Sequence, residues 1–196
     1  MSKRIGIVIA SLAPRRNKVV LFDQEHGKCI CVPDRTVINH GMLLSYFVRC
    51  DSKTEFLYAT EVLAIPVPLL VSDLLFFHHI MELCYHFLPL ASPSRSLFDL
   101  LSWLYNPEIA RLNTQQQKLF LCKFFAVLGI YPDEFAYDPA RILKISFCAI
   151  DRMLAQNVDL GFRQEELDAW LLGCVLSHPY SAHFKTVHFL TQSRGV

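Results

Sequence analysis

Glycine is scarce in this chain, and the seven it has are dispersed, so no phosphate-cradling loop is available. Neither the P-loop spacing nor the dinucleotide-binding spacing occurs. A nucleophile elbow of the GxSxG type and an HExxH helix are missing as well. The seven cysteines are odd in number and include no CxxC pair, so the usual zinc-ribbon spacing is absent. Most of them sit in apolar runs, where a thiol behaves as a small hydrophobe, and such usage suits a reducing cytoplasm. Long apolar runs are lacking too. The stretch 62–71 is short and carries Pro66 and Pro68, and the longest charge-free stretch, between Asp168 and Lys185, is broken by Ser177, His178, Pro179 and Ser181. A bilayer crossing takes about 20 apolar residues, so no membrane span is expected. The first 13 residues lack the apolar core of a secretory signal, and none is expected.

What the 196 residues do have is hydrophobicity: 53% apolar and a mean hydropathy of +0.30, which argues against disorder. Such a length buries one sizeable core or two small ones. Net charge is only +1, but unevenly placed. Residues 1–68 hold nine Lys and Arg against six Asp and Glu, while residues 69–196 hold ten against twelve. The mild basic excess at the start is compatible with nucleic-acid contact.

The residue pattern changes once along the chain. Segments 4–10, 18–22, 28–32, 43–50 and 55–63 are rich in Val, Ile, Tyr and Phe and read as strands. Turn signals separate them: Ala13-Pro14, His26-Gly27, Pro33-Asp34, His40-Gly41 and Asp51-Ser52. Five short strands suit a small barrel of the OB type. At Ile65-Pro66-Val67-Pro68, taken as a hinge, the apolar period becomes helical. Phe76, Ile80, Leu83, Cys84 and Phe87 share a face of a helix capped by Ser72. Leu97, Leu101, Leu104 and Tyr105 line a second. Thr114 and Gln117 form a capping box for a third, which buries Phe120, Leu121, Phe124, Phe125 and Leu128 and ends at Gly129. Asp138-Pro139 opens a fourth with Leu143, Phe147, Ile150 and Leu154 in register. Leu167, Trp170, Leu171, Cys174 and Val175 mark a fifth, and a short helix follows Pro179. The expected fold class is therefore α+β: a five-stranded OB-fold barrel over 1–65, then an all-α domain over 69–196.

Candidate chemistry is sparse. His79, Glu82 and His86 fall at i, i+3 and i+7 and carry donors suited to zinc or iron, although that side is partly the apolar face and hydrogen-bonded helix residues are the plainer reading. His178, His183 and His188 recur every five residues, out of phase on a helix. No catalytic set emerges, which points to a binding protein and not an enzyme. In the barrel half, Arg15, Arg16 and Lys18 cluster in one turn, and Lys28, Arg35, Arg49 and Lys53 follow. OB-folds hold single strands in a basic groove with aromatic stacking platforms, and Tyr46, Phe47, Phe56 and Tyr58 are the available rings. Strand alternation turns half of such rings inward, so core aromatics are the plainer reading for them.

Two stretches read together carry a family likeness. Leu21-Phe22-Asp23-Gln24-Glu25-His26-Gly27-Lys28 is a strand–turn–strand signature, and Ser94-Arg95-Ser96-Leu97-Phe98-Asp99-Leu100-Leu101 opens a helix about seventy residues later. With 41–47, Met81-Glu82-Leu83, the run from Phe120 to Pro132 and the tail 183–187, the chain resembles the RecO family of bacterial recombination mediators over nearly its full length. The resemblance implies an OB-fold followed by helices, without catalysis or cofactor. It implies binding of single- and double-stranded DNA, strand annealing, and work with a RecR-like protein on strands coated by single-stranded-DNA-binding protein, whose acidic C-terminal tail is engaged. It places the protein in the cytoplasm at the nucleoid. Arg15, Arg16, Lys18, Lys28 and Arg35 are then the DNA-binding candidates, and Lys118, Lys123 and Lys185 the candidates for the acidic tail. Two features depart from the family. The segment after the third strand, 32–40, holds one arginine and one aspartate where members carry a basic loop, and the four-cysteine zinc module is absent, so no metal is expected. The depleted loop supports an alternative, a protein-interaction adaptor that kept the fold and lost DNA.

Overall fold

The computed structural model describes residues 2–12, 18–34, 38–52, 54–107, 112–132, 139–154 and 163–192. They form two compact units, 1–111 and 112–196.

The first unit opens with five strands, β1 (Arg4–Leu12), β2 (Lys18–Asp23), β3 (Gly27–Pro33), β4 (Leu43–Asp51) and β5 (Thr54–Ala64). They close into a barrel in the order β1-β2-β3-β5-β4. β1 pairs with both β2 and β4, and β3 runs parallel to β5 while the other pairs are antiparallel. This is the OB-fold arrangement. Alternation along the strands fills the interior with Val8, Val19, Leu21, Cys31, Leu44, Tyr46 and Leu57. Ring closure leaves no free sheet edge. All five strands lie where the Val, Ile and aromatic pattern puts them, extended at their ends by one or two residues.

Among the described residues, three α-helices follow in this unit: α1 (Val67–Ser72), α2 (Leu74–Phe87) and α3 (Arg95–Ser102). The prolines at 66 and 68 therefore start a helix where a hinge was expected. Pro66 is the N-cap of α1 and Pro68 stands in its first turn, where a missing N–H costs nothing. Because α1 uses Ser72 as its last residue, Asp73 caps α2 in its place, accepting from the Phe76 N–H at 3.0 Å. The helices stay with the barrel. Phe22 of β2 meets Phe98 of α3 at 6.0 Å between ring centroids, and the Tyr105 hydroxyl donates to the Gly41 carbonyl at 2.9 Å. Gly41 has φ +82°, and a Cβ there would stand 2.4 Å from the Phe77 ring. The strand-to-helix change at 65–68 is thus distinct from the division of units at 111/112.

The second unit is built on α4 (Thr114–Leu128), with α5 (Pro139–Phe147), α6 (Ile150–Leu154), α7 (Gln164–Leu176) and α8 (Lys185–Gln192). The capping box of α4 is Asn113 with Gln116, one residue before the expected pair, because Asn113 takes the extended conformation that frees its side chain for the Gln116 N–H. Gly129 ends the helix in the left-handed region at φ +71°. Residues 117–126 are all buried, so α4 is the centre of this unit. The single helix expected over 139–154 is two. Phe147 and Leu143 are exposed, and the chain breaks between α5 and α6. On α7, Leu167, Trp170, Leu171, Cys174 and Val175 are buried as their spacing predicts.

Candidate functional site

The Phe22–Lys28 stretch turns out to be a structural joint of the first unit. Asp23 is fully buried at the end of β2. Its Oδ2 accepts from the Tyr46 hydroxyl at 2.5 Å, and its Oδ1 accepts from the backbone N–H groups of Glu25 and His26 and from His26 Nδ1. Burial alone raises the Asp23 pKa; the hydrogen bonds from Tyr46, His26 and the turn outweigh it and hold the carboxyl below its ordinary value. Burial, with the Asp23 carboxylate nearby, pushes the Tyr46 phenol far up, so the hydroxyl stays a donor. Gly27 follows at φ +75°, where a Cβ would stand 2.3 Å from the Ser92 carbonyl carbon. Only glycine permits both the turn and that approach. Lys28 then extends its ammonium to the carbonyls of Tyr85 and Leu88, at 2.6 and 2.9 Å, over the Tyr85 ring. These are orphan acceptors at the end of α2, where the helix dipole also favours a cation. Lys28, expected as a phosphate contact, is thus half-buried and engaged within the unit.

The tail-binding candidates on α4 are likewise engaged within their own unit. Lys118 is 2% exposed and its Nζ lies 2.7 Å from Asp168 Oδ1 of α7. Lys123 is buried and donates to the carbonyls of Ile145, Ser146 and Cys148. It closes the end of α5, which accounts for the helix break there. Periodicity marks α4 as amphipathic, whereas its lysines are drawn inward by an acid and by carbonyls that lie far along the chain. Lys185 is exposed at the first residue of α8.

Of the DNA-binding candidates, Lys18 is half-buried at the first residue of β2. Arg15, Arg16 and Arg35, and also Lys53, lie outside the described residues. In the chain, Arg15 and Arg16 fall between β1 and β2, and Lys53 between β4 and β5. OB-folds carry ligand contacts on these two connections.

The outer face of β4 and β5 adds rings and a cation. Phe47 pairs with Tyr58 across the strands, their rings stacked at 5.7 Å, and Arg49 pairs with Phe56, its guanidinium 5.7 Å from the ring. None of the four is buried. Tyr46, by contrast, is a core residue, so of the four rings named from sequence three remain on the surface.

A cleft of about 530 Å³ opens on the same unit, bordered by His26, Lys28, Cys29, Glu55 and Leu90. Here Cys29, Cys31 and Glu55 bring their ligand atoms within 4.8 Å of one another. Among the described residues this is the one such group of three, so His79, Glu82 and His86 do not converge, nor do His178, His183 and His188. His79 is buried on α2, and His178 packs against Tyr180 and Phe184. Cys29-x-Cys31 falls outside CxxC spacing. Two residues two apart in a strand share a face, and that was the available signal. Glu55 was not recoverable, because its place depends on the parallel β3–β5 register.

No family model matches the chain, and no curated protein matches its sequence. No helix among the described residues is long and apolar enough to cross a membrane.

Proposed function

We propose that this chain is a RecO-like accessory protein of recombinational repair, a binding protein that takes single-stranded DNA on its OB barrel and acts in the cytoplasm at the nucleoid. The observation that carries the reading is the strip formed by Phe47, Tyr58, Arg49 and Phe56 on a barrel of OB topology. Rings with an accessible face stack bases whatever their sequence, Phe47, Phe56 and Tyr58 being half-buried, and the exposed Arg49 beside them supplies charge. Arg15, Arg16 and Lys18, at the β1–β2 connection, would add phosphate contacts whose affinity falls with salt. Annealing of strands, binding of duplex DNA, and partnership with a RecR-like protein and with the acidic tail of single-stranded-DNA-binding protein follow from the family likeness of the sequence.

Fluorescence anisotropy of labelled single-stranded DNA at two salt concentrations tests the proposal. Binding that weakens steeply with salt, and that Arg15→Glu/Arg16→Glu and Phe47→Ala each reduce, supports it. No binding at low salt overturns it. The second reading, an adaptor without DNA, rests on the burial of Lys118 and Lys123 and the internal engagement of the half-buried Lys28. Saturable binding of an acidic peptide by a chain that fails to bind DNA would favour it.

A further inference from the structure

We propose that Cys29, Cys31 and Glu55 form a binding site for a borderline-soft divalent cation, with zinc the best geometric match, at the wall of the barrel cleft. Cys29 and Cys31 alternate along β3, so both thiols face the same way. Parallel pairing sets Glu55 of β5 opposite Cys31. Cys31 Sγ lies 3.8 Å from Cys29 Sγ and 3.5 Å from Glu55 Oε2. In a tetrahedral zinc site, with Zn–S about 2.3 Å and Zn–O about 2.0 Å, two sulfurs stand about 3.8 Å apart and a sulfur and an oxygen about 3.5 Å. Two of the three spacings therefore already have the values of a loaded site. The third, between Cys29 and Glu55, is within 4.8 Å.

The chemistry of the donors selects the ion. Thiolates suit zinc and its borderline-soft neighbours, whereas calcium and magnesium take oxygen ligands. Cys29 and Glu55 border the cleft while Cys31 is fully buried, so three protein ligands leave a fourth position facing the cleft, for water or for a ligand atom. Binding displaces the thiol protons to solvent, so affinity falls as pH falls. The site is independent of the DNA reading: its residues face the cleft and the barrel interior, not the β4–β5 strip.

The test uses the full chain, reduced and stripped of metal, titrated with Co²⁺ and then Zn²⁺. One equivalent of Co²⁺ is expected to raise a thiolate-to-cobalt charge-transfer band that Zn²⁺ abolishes. Cys29→Ser and Glu55→Gln, each checked for folding by circular dichroism, are expected to weaken Co²⁺ binding by more than the roughly 10- to 100-fold that loss of an outer-shell partner costs. Cys148→Ser, in the other unit, is expected to leave it unchanged. Absence of the band, or a band whose affinity both site variants retain, overturns the proposal. If the variants fail to fold, alkylation of Cys29 in the unaltered chain decides: slowing by Zn²⁺ supports the site, and an unchanged rate overturns it.

Discussion

Each unit uses one lysine to close the C-terminal end of a helix, and the two uses differ in depth. Lys28 leaves β3, crosses the Tyr85 ring and meets the last carbonyls of α2 at the edge of an open cleft. Lys123 leaves the most buried helix of the second unit and takes three carbonyls at the end of α5. Burial holds both ammonium groups below the ordinary lysine value. Helix ends leave about four carbonyls without intrahelical partners, and these compete with any external anion for a nearby cation. A lysine count therefore overstates the charge a fold offers to ligands. In the helical unit Lys118 and Lys123 are both withdrawn, whereas the barrel keeps Arg49 on its outer face beside Phe56.

This contrast breaks most sharply at the buried ion pair. Asp168→Ala leaves the Lys118 ammonium uncompensated at 2% exposure and is expected to cost about 3–5 kcal/mol in urea unfolding. Adding Lys118→Met in the same chain should recover much of that loss. A cost near zero for Asp168→Ala would mean that Lys118 reaches solvent and is available to an acidic peptide after all.

Next in size are the two helix-closing lysines. Lys123→Met abandons three buried acceptors and is expected to destabilise by about 2–3 kcal/mol, and Lys28→Met, with two acceptors at a wetter site, by about 1–2 kcal/mol. Thermal melts of the two variants rank them; the reverse order would invert the comparison between the units.

Asp23 gives the barrel unit a pH dependence. Its folded carboxyl titrates below its ordinary 3.8, so its contribution is complete above that value and is lost as pH falls through the folded value. At neutral pH, Asp23→Asn is expected to cost about 1–3 kcal/mol, since an amide cannot accept from all four donors. The gap between the native chain and the variant should narrow on acidification below 3.8, measured as unfolding midpoints against pH. A gap independent of pH would show that the carboxylate charge is not what the joint uses.

Arg49→Ala is the smallest change to the fold, within about 0.5 kcal/mol for an exposed position. Its effect is expected in the salt dependence of DNA affinity, with the slope reduced by about 1 if the guanidinium meets a phosphate. An unchanged slope, with affinity still reduced, would assign Arg49 to stacking alone.

What the sequence by itself determined is what depends on local pattern. Alternating Val, Ile and aromatic residues between turn dipeptides placed all five strands, and the 3.6-residue period placed α2, α4 and α7 with their buried faces. Gly129 marked its helix end because the left-handed conformation is a local requirement. Only the tertiary structure decided which partner each polar group meets. Lys118 and Asp168 are 50 residues apart, Lys28 is 57 and 60 residues from Tyr85 and Leu88, whose carbonyls it meets, and Cys31 meets Glu55 through strand register. The break between α5 and α6 belongs with these, because Lys123 supplies from another helix the donors that the carbonyls there lack. Periodicity records which side of an element is buried; it carries no information on what waits across the core, and there the partners of Lys28, Lys118 and Lys123 and the meeting of Cys29, Cys31 and Glu55 were decided.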